Sequence, residues 1–366
     1  MSKRRFARLL IILLFGTAGL QLSAHARPEV QIIASGTLPN KFKFQKTRFG
    51  GISGLAPTGE PNQFYAVSDD RGRVDEPRIY MIQFEKSGRT VEITPKAVIR
   101  IKDLVKNKRK LHPVFDLEGI TGLPWGNLLI SSEGDLNAHP RVLPALIEIK
   151  KSGEVVRDFD LPPDLLPESS GQLTKGIQNN LGIEGLTSAP SGKIYSMVES
   201  YLKQDQVSQS GVRLIEWDAA EAWTLKPGRE WYYPLSSSPK GTLDVVRGVS
   251  EILALSDHQI LVLERSLELS LSGVEFDCRL YLIDLQSKSA NAPNNIPILP
   301  KTEILNFKTA LAGFDPNIKA DNFEAMGVLS QTTKDGLTEF EVIVASDDNF
   351  SKQQKNLFLW LKIKGI

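Results

Sequence analysis

One cysteine, Cys278, stands in a chain of 366 residues, so an internal disulfide, a CxxC redox pair and a thiolate metal centre are all excluded. Histidine is nearly as scarce: only His112, His139 and His258 lie beyond the first 26 residues, too few and too scattered for a His-rich zinc site. Charge of one sign is also missing, with 44 Lys and Arg against 43 Asp and Glu, which gives no reason to expect a nucleic-acid partner. No Gly-x-Ser-x-Gly elbow occurs, and Ser, Asp and His are too dispersed for a triad. After the first segment no apolar run is long enough to span a bilayer.

That first segment has its own pattern. Lys3, Arg4, Arg5 and Arg8 precede the apolar run Leu9 to Phe15, and Ala24-His25-Ala26 supplies the small-x-small pattern of a signal peptidase site. The expectation is a signal peptide over residues 1–26 and a periplasmic or secreted protein of residues 27–366. With four basic and no acidic residues removed, the remainder carries a net charge of −3. No cysteine near the site offers a lipid anchor. The remaining chain reads as one domain, with long loops at Lys102 to His112, Pro162 to Asn180, Lys203 to Ser210 and Ser287 to Pro300.

What is abundant is apolar and turn-forming: 41% hydrophobic residues, 28 Gly and 21 Pro. These residues are organised as a repeat of about 65 residues. Each module opens on a short apolar strand with an acid or serine: Ile52-Ser53-Gly54, Leu117-Glu118-Gly119, Ile183-Glu184-Gly185, Ser250-Glu251-Ile252 and Phe323-Glu324-Ala325. A second strand then ends in acid: at Asp69-Asp70, Glu133, Glu199, Glu264 and Asp347-Asp348. Third strands follow at Arg78 to Phe84, Ala145 to Ile149, Val212 to Trp217, Arg279 to Leu285 and Leu357 to Leu361. Fourth strands are expected at Thr90 to Ile101, Val155 to Leu161, Trp231 to Leu235 and Thr302 to Phe307. The last module has no fourth strand after it, and Val30 to Leu38 is placed to supply one. The reading is all-β: a β-propeller of five blades, six as the alternative, closed by an N-terminal strand.

Inner strands line the channel of such a ring, so Glu118, Glu184, Glu251 and Glu324 are expected on one circle, with Glu133, Glu199, Glu264 and Asp347 one strand outward. Crowded carboxylates raise one another's pKa and need neutralising. A hard divalent cation fits, since calcium takes six to eight oxygen ligands. The expected ligands are Glu184, Glu199, Glu251, Glu264, Glu324 and Asp347. Arg71, Arg265 and Lys175 flank the acids as alternative neutralisers. Another reading is structural: acids that accept backbone amides of the neighbouring blade and staple the ring.

The motifs Gly51-Ile-Ser-Gly-Leu55, Ser68-Asp-Asp-Arg-Gly72, Asp116-Leu-Glu-Gly-Ile120, Asn179-Asn-Leu-Gly-Ile-Glu-Gly-Leu186, Gly248-Val-Ser-Glu251, Leu263-Glu-Arg265 and Ala345-Ser-Asp-Asp-Asn-Phe350 together resemble the family called esterase-like activity of phytase. The resemblance covers nearly the whole chain beyond residue 26. It implies an exported bacterial β-propeller and hydrolysis of phosphate esters. Two positions depart from the pattern: Leu181 stands where a basic residue is expected before Gly182, and Ala325 stands where glycine is expected after Glu324.

The resulting expectation is calcium-assisted hydrolysis of a small phosphomonoester, with Asp69 or Glu118 as base and Arg71, Lys175 and Arg265 holding the phosphate. Two other readings are a lactonase or carboxylesterase propeller acting on neutral esters, and a non-catalytic binding propeller. In the second of these, Arg71 and Arg265 pair with the ring acids and leave no open coordination position.

Overall fold

The computed structural model describes residues 28–102, 116–208, 210–219, 221, 223–237, 243–270, 273–287, 290–291, 295–334 and 336–366. The expected signal peptide over residues 1–26 and nearly all of the basic loop at Lys102 to His112 lie outside the described residues. Among the described residues no helix is long and apolar enough to cross a membrane.

The chain opens with β1 (Glu29–Leu38) and a small hairpin of β2 (Lys43–Phe44) and β3 (Thr47–Arg48). The first antiparallel unit is β4 (Ile52–Pro57), β5 (Gln63–Ser68), β6 (Arg78–Ser87) and β7 (Thr90–Arg100). The second is β8 (Leu117–Gly122), β9 (Leu128–Ser132), β10 (Ala145–Ile149) and β11 (Val155–Phe159). β12 (Ile183–Ser188), β13 (Ile194–Val198), β14 (Val212–Asp218) and β15 (Lys226–Tyr233) make the third. The fourth contains β16 (Leu243–Ala254), β17 (Gln259–Ser270) and β18 (Gly273–Asp284). Two short strands, β19 (Ala290–Asn291) and β20 (Pro297–Ile298), join the edge of the third unit before β21 (Lys301–Asn306) completes the fourth. After the helix α1 (Phe307–Phe314) come β22 (Phe323–Lys334), β23 (Leu337–Ser346) and β24 (Asn356–Lys364).

β1 is the fourth strand of the last unit, paired antiparallel with β24 from Glu29 opposite Lys364 to Leu38 opposite Asn356. The ring is therefore latched by the N-terminal strand, as the missing strand after β24 required. β1 also touches β7 at Ser35 and Thr90, joining the last and first units into one eight-stranded sheet. The first strands of the units neighbour one another in a closed circle: β4 beside β8, then β12, β16, β22 and back to β4. This is a β-propeller.

The core lies between units. One cluster joins Val67 and Ile79 of the first unit to Leu117 and Ile130 of the second; another joins Leu261 and Leu280 of the fourth to Val342 and Leu359 of the last. Strands β9 and β13 are buried at every residue because both their faces are covered, so their sequences run apolar without clean alternation. Their burial, at about 25 cal/mol per Å² of apolar surface, is the main stabilising term.

The inner circle is tight enough to dictate the glycine of the repeat. A methyl group at Gly119 would lie 2.5 Å from the carbonyl oxygen of Glu184, and one at Gly54 would lie 2.8 Å from that of Glu118. Backbone of the next unit occupies the space a side chain needs. Gly119→Ala is expected to destabilise the fold by about 1–3 kcal/mol, as overpacking against unyielding backbone does; a melting temperature equal to the parent's would show that the circle relaxes. Ala325 occupies the equivalent place in the last unit, fully buried in a cluster with Ile52 and Ala345, so there the circle accommodates a Cβ.

Several strand boundaries differ from expectation. The strand at Thr302 ends at Asn306, whose side chain accepts from the Thr309 amide at 3.2 Å and caps α1; Phe307 turns inward against Phe323 at 4.7 Å between ring centroids. The outer strand β15 begins at Lys226 rather than Trp231.

Candidate functional site

Each unit carries a β-bulge in its first strand, and the bulge decides which side chains meet. Pairing slips between Ile52 and Gly54, Leu117 and Ile120, Ile183 and Gly185, Val249 and Glu251, and Phe323 and Ala325. The bulged position is therefore Ser53, Glu118, Glu184, Ser250 and Glu324. On the second strand, the residue after the last paired one is Asp69, Glu133, Glu199 and Asp347, each donating its amide back across the hairpin to Gly51, Asp116, Gly182 and Asn322 respectively. In the fourth unit Val249 pairs with Glu264 and Gly248 with Arg265, so the equivalent residue there is Arg265.

This corrects two expected ligands. Glu251 sits one residue past the bulge: it is buried, and accepts from the amides of Ile252 at 2.9 Å and Leu186 at 3.3 Å, a staple to the neighbouring unit. Glu264 also lies away from the cluster, buried where the Tyr233 hydroxyl donates to it at 2.7 Å and Lys301 forms an ion pair with it. Lys175 is not brought to the site either; its ammonium donates to the Pro163 carbonyl at 3.1 Å. Of the paired alternatives, Asp70 is bound to Arg78, and Asp348 accepts from the Gly51 and Phe350 amides, so Asp69 and Asp347 are the inward acids.

The other expected residues converge. A polar cavity of about 340 Å³ at this mouth of the channel is lined by Asp69, Arg71, Glu118, Glu184, Arg265, Glu324 and Asp347 among others. Asp116 and Glu133 join them and were not singled out as site residues. The signal for both was present, Asp116 in the Asp-Leu-Glu-Gly motif and Glu133 in the repeat itself. Carboxylate oxygens of Asp69, Asp116 and Glu118 lie within 4.8 Å of one another, as do those of Glu118, Glu133 and Glu184.

Compensation for this charge is incomplete. Arg265 Nη2 donates to Glu199 at 2.7 Å and its Nη1 to Glu324 at 2.5 Å and Asn322 at 2.8 Å, linking the third and fifth units across the gap left by the fourth. Arg71 Nε donates to Asp116 at 2.6 Å, with a further bond to Asn180. Among the described residues two guanidiniums thus form the ion pairs of a cluster of eight carboxyls, Asp69, Asp116, Glu118, Glu133, Glu184, Glu199, Glu324 and Asp347, while Arg73 acts on Asp116 from the cavity lining.

Burial, reinforced by the neighbouring carboxylates, pushes Asp69, Glu118, Glu184 and Asp347 well above the ordinary range; for Glu133 burial and the Glu199 charge bring it to about 8. Burial also raises Glu199 and Glu324, opposed by Arg265. Asp69 Oδ1, Glu133 Oε2 and Glu184 Oε2 are buried oxygens without a hydrogen-bond partner among the described residues. An all-oxygen donor set with orphaned buried oxygens suits a hard cation such as calcium, and gives a soft metal nothing to prefer.

A family model for phytase-like proteins, described as esterase-like activity of phytase, matches residues 47–350. The chain belongs to this family. The phytase-like match spans the first residue of β3 through the loop after β23, so every inward acid of the cluster falls inside it. No curated protein matches the chain.

Among solved structures, the chain is similar to a putative glycoside hydrolase from Parabacteroides distasonis ATCC 8503, with 12% identity over 95% of each chain and a TM-score of 0.43. It is also similar to a structure described under the GH130 family of mannoside phosphorylases, whose glycoside hydrolases target β-1,2-mannosidic linkages in Candida mannan (10% identity, 92% of this chain and 95% of that one, TM-score 0.44). A luciferin-regenerating enzyme is similar at 13% identity over 85% and 77% of the two chains, with a TM-score of 0.38.

Proposed function

We propose that this phytase-like protein is an exported hydrolase of small phosphomonoesters, acting with calcium at the acidic mouth of the channel. The observation that carries this reading is the excess of converging carboxyls over guanidiniums, with orphaned oxygens on Asp69, Glu133 and Glu184. Glu118, Glu133 and Glu184 would hold the ion, with Asp69 and Asp116 at its outer edge. The ion would supply positive charge against the phosphate oxygens.

The chain's own residues have separate tasks. Arg71 and Arg73 line the mouth and Arg265 its wall, so an anionic ester is drawn in and oriented better than a neutral one. Asp69 lines the pocket and keeps Oδ1 without a hydrogen-bond partner among the described residues, which places it to take a proton from an attacking water once a bound cation has drawn off its own. Glu199 and Glu324 are committed to Arg265 and hold the wall of the pocket. Of the earlier ligand set, Glu184 is retained at the ion, and Asp347 lies within the same cavity.

The test is phosphate release by the purified protein from a panel of phosphomonoesters that includes phytate, with calcium and with chelator. Calcium-dependent release is expected, reduced about 10²-fold or more in Glu184→Gln. A second reading has support in the ion pairs of Arg71 and Arg265 with ring acids: a binding propeller whose ion is structural. Absence of release from every ester, with a melting temperature that still rises on calcium addition, would establish that reading instead.

A further inference from the structure

The two guanidiniums of the cluster are held differently. Arg265 belongs to the ring itself, grips acids of two other units and donates to Asn322 as well. Arg71 reaches in from the loop after β5, with a left-handed backbone (φ 53°) and a side chain 24% exposed. It touches both groups of converging carboxylates. Its Nε is bonded to Asp116, a member of the outer group, and its Nη2 lies 4.0 Å from Oε2 of Glu133, a member of the inner one. Glu118 belongs to both groups, and Glu184 of the inner one, only 5% exposed, keeps Oε2 without a hydrogen-bond partner among the described residues. The guanidinium therefore occupies the edge of a cation site whose depth remains unsatisfied.

We propose that Arg71 is a displaceable counter-ion that couples cation binding to anion binding. This rests on the cation site of the proposed function. A divalent cation among these carboxylates takes the Asp116 and Glu133 oxygens that Arg71 now borders. The freed guanidinium, still anchored near the mouth by the loop it shares with Arg73, turns its donors to an incoming phosphate. Arg71 and the cation compete for the same oxygens, so each weakens the other. Cation and anion do not compete, and by linkage each strengthens the other. Arg265, gripped from two sides, takes no part in the exchange.

Calorimetric titration of the purified protein with calcium chloride alone, with inorganic phosphate alone, and with phosphate in saturating calcium tests this. In the parent, calcium should tighten phosphate binding by about tenfold, within the usual range of coupling between sites. Arg71→Ala should bind calcium about tenfold more tightly and keep only that part of the calcium effect on phosphate which the ion itself supplies, a smaller enhancement than in the parent. Arg71→Lys, which keeps the charge and removes the planar fork, should retain near-parental calcium affinity, and Arg73→Ala should change calcium affinity far less than Arg71→Ala. Circular dichroism establishes that each variant is folded. If Arg71→Ala binds calcium no better than the parent, or phosphate affinity in the parent ignores calcium, the exchange is wrong. Absence of calcium binding to every variant overturns it together with the cation site. Coupling that persists without phosphatase activity would overturn the proposed reaction and leave the exchange standing.

Discussion

Replacing Arg265 by alanine is expected to lower the melting temperature by on the order of 10 °C. Arg265 is the one cation at a ring position, and it satisfies Glu199 of the third unit and Glu324 of the fifth at 2.7 and 2.5 Å. Both acids are buried, so removing their partner leaves uncompensated charge in a poorly solvated place, which costs roughly 3–5 kcal/mol. The loss has a pH signature. Without the guanidinium the pKa of Glu199 and Glu324 rises further, so the variant recovers stability as acid protonates them, and the gap to the parent narrows from pH 8 to pH 5. Arg265→Lys should recover only part of the loss, because an ammonium lacks the fork that reaches two carboxylates at once. Thermal melts of parent and both variants across this range decide the matter; an Arg265→Ala melt within about 2 °C of the parent at pH 8 would refute the ring-cation role.

The metal-free parent is expected to be more stable in acid than in mild alkali, against the usual behaviour of proteins whose carboxylates are paired. A carboxyl whose folded pKa is raised keeps its proton in the folded state while the unfolded chain releases it. Below the unfolded value both states are protonated and nothing is lost. As pH rises from there to the folded value, each such group removes about 1.4 kcal/mol per pH unit. Glu133 spans the window from its ordinary value of 4.5 to about 8, and Glu118, Glu184, Asp69 and Asp347 move in the same direction. Chelated protein should therefore melt at a lower temperature at pH 8 than at pH 5. Added calcium should stabilise more at pH 8, where fewer protons must be expelled to make room for it. Scanning calorimetry with chelator and with calcium at the two pH values checks both signs. A chelated melting temperature that rises between pH 5 and pH 8 would mean that the carboxyls are already ionised and matched by cations outside the described cluster.

The strands and the latch were legible because they are written as repeated short patterns: an apolar run, a turn, a second run ending in acid. The bulge was not. It inserts one residue into the inner strand without altering composition, and in the fourth module Ser250-Glu251 and Glu264-Arg265 each place an acid one residue from the structural equivalent. The eye takes the acid; the register takes its neighbour. The same slip hid the most telling substitution in the ring, where the fourth unit offers serine and arginine in place of two acids. Ser250 Oγ donates to the Phe323 carbonyl at 2.9 Å, as Ser53 Oγ does to that of Leu117 at 3.1 Å, so at both positions a hydroxyl holds the next unit. Lys175 was misleading for another reason: proximity in sequence to the third inner strand says little about where a loop directs a side chain.

The latch formed by β1 and β24 has a kinetic consequence. Glu29 and Lys364 stand opposite each other although almost the whole chain separates them, so the last unit has no outer strand until the final segment has been made. Until then β1 and β23 each present an unpaired edge, the kind of surface that recruits other chains. Closure is a single long-range event with a high loop-entropy cost, so it belongs late on the folding pathway and sets a slow rate for reaching the finished ring. Once made, the same long-range pairing turns local fraying into a cooperative matter, since neither terminus can leave without opening the circle on which the acidic cluster is built.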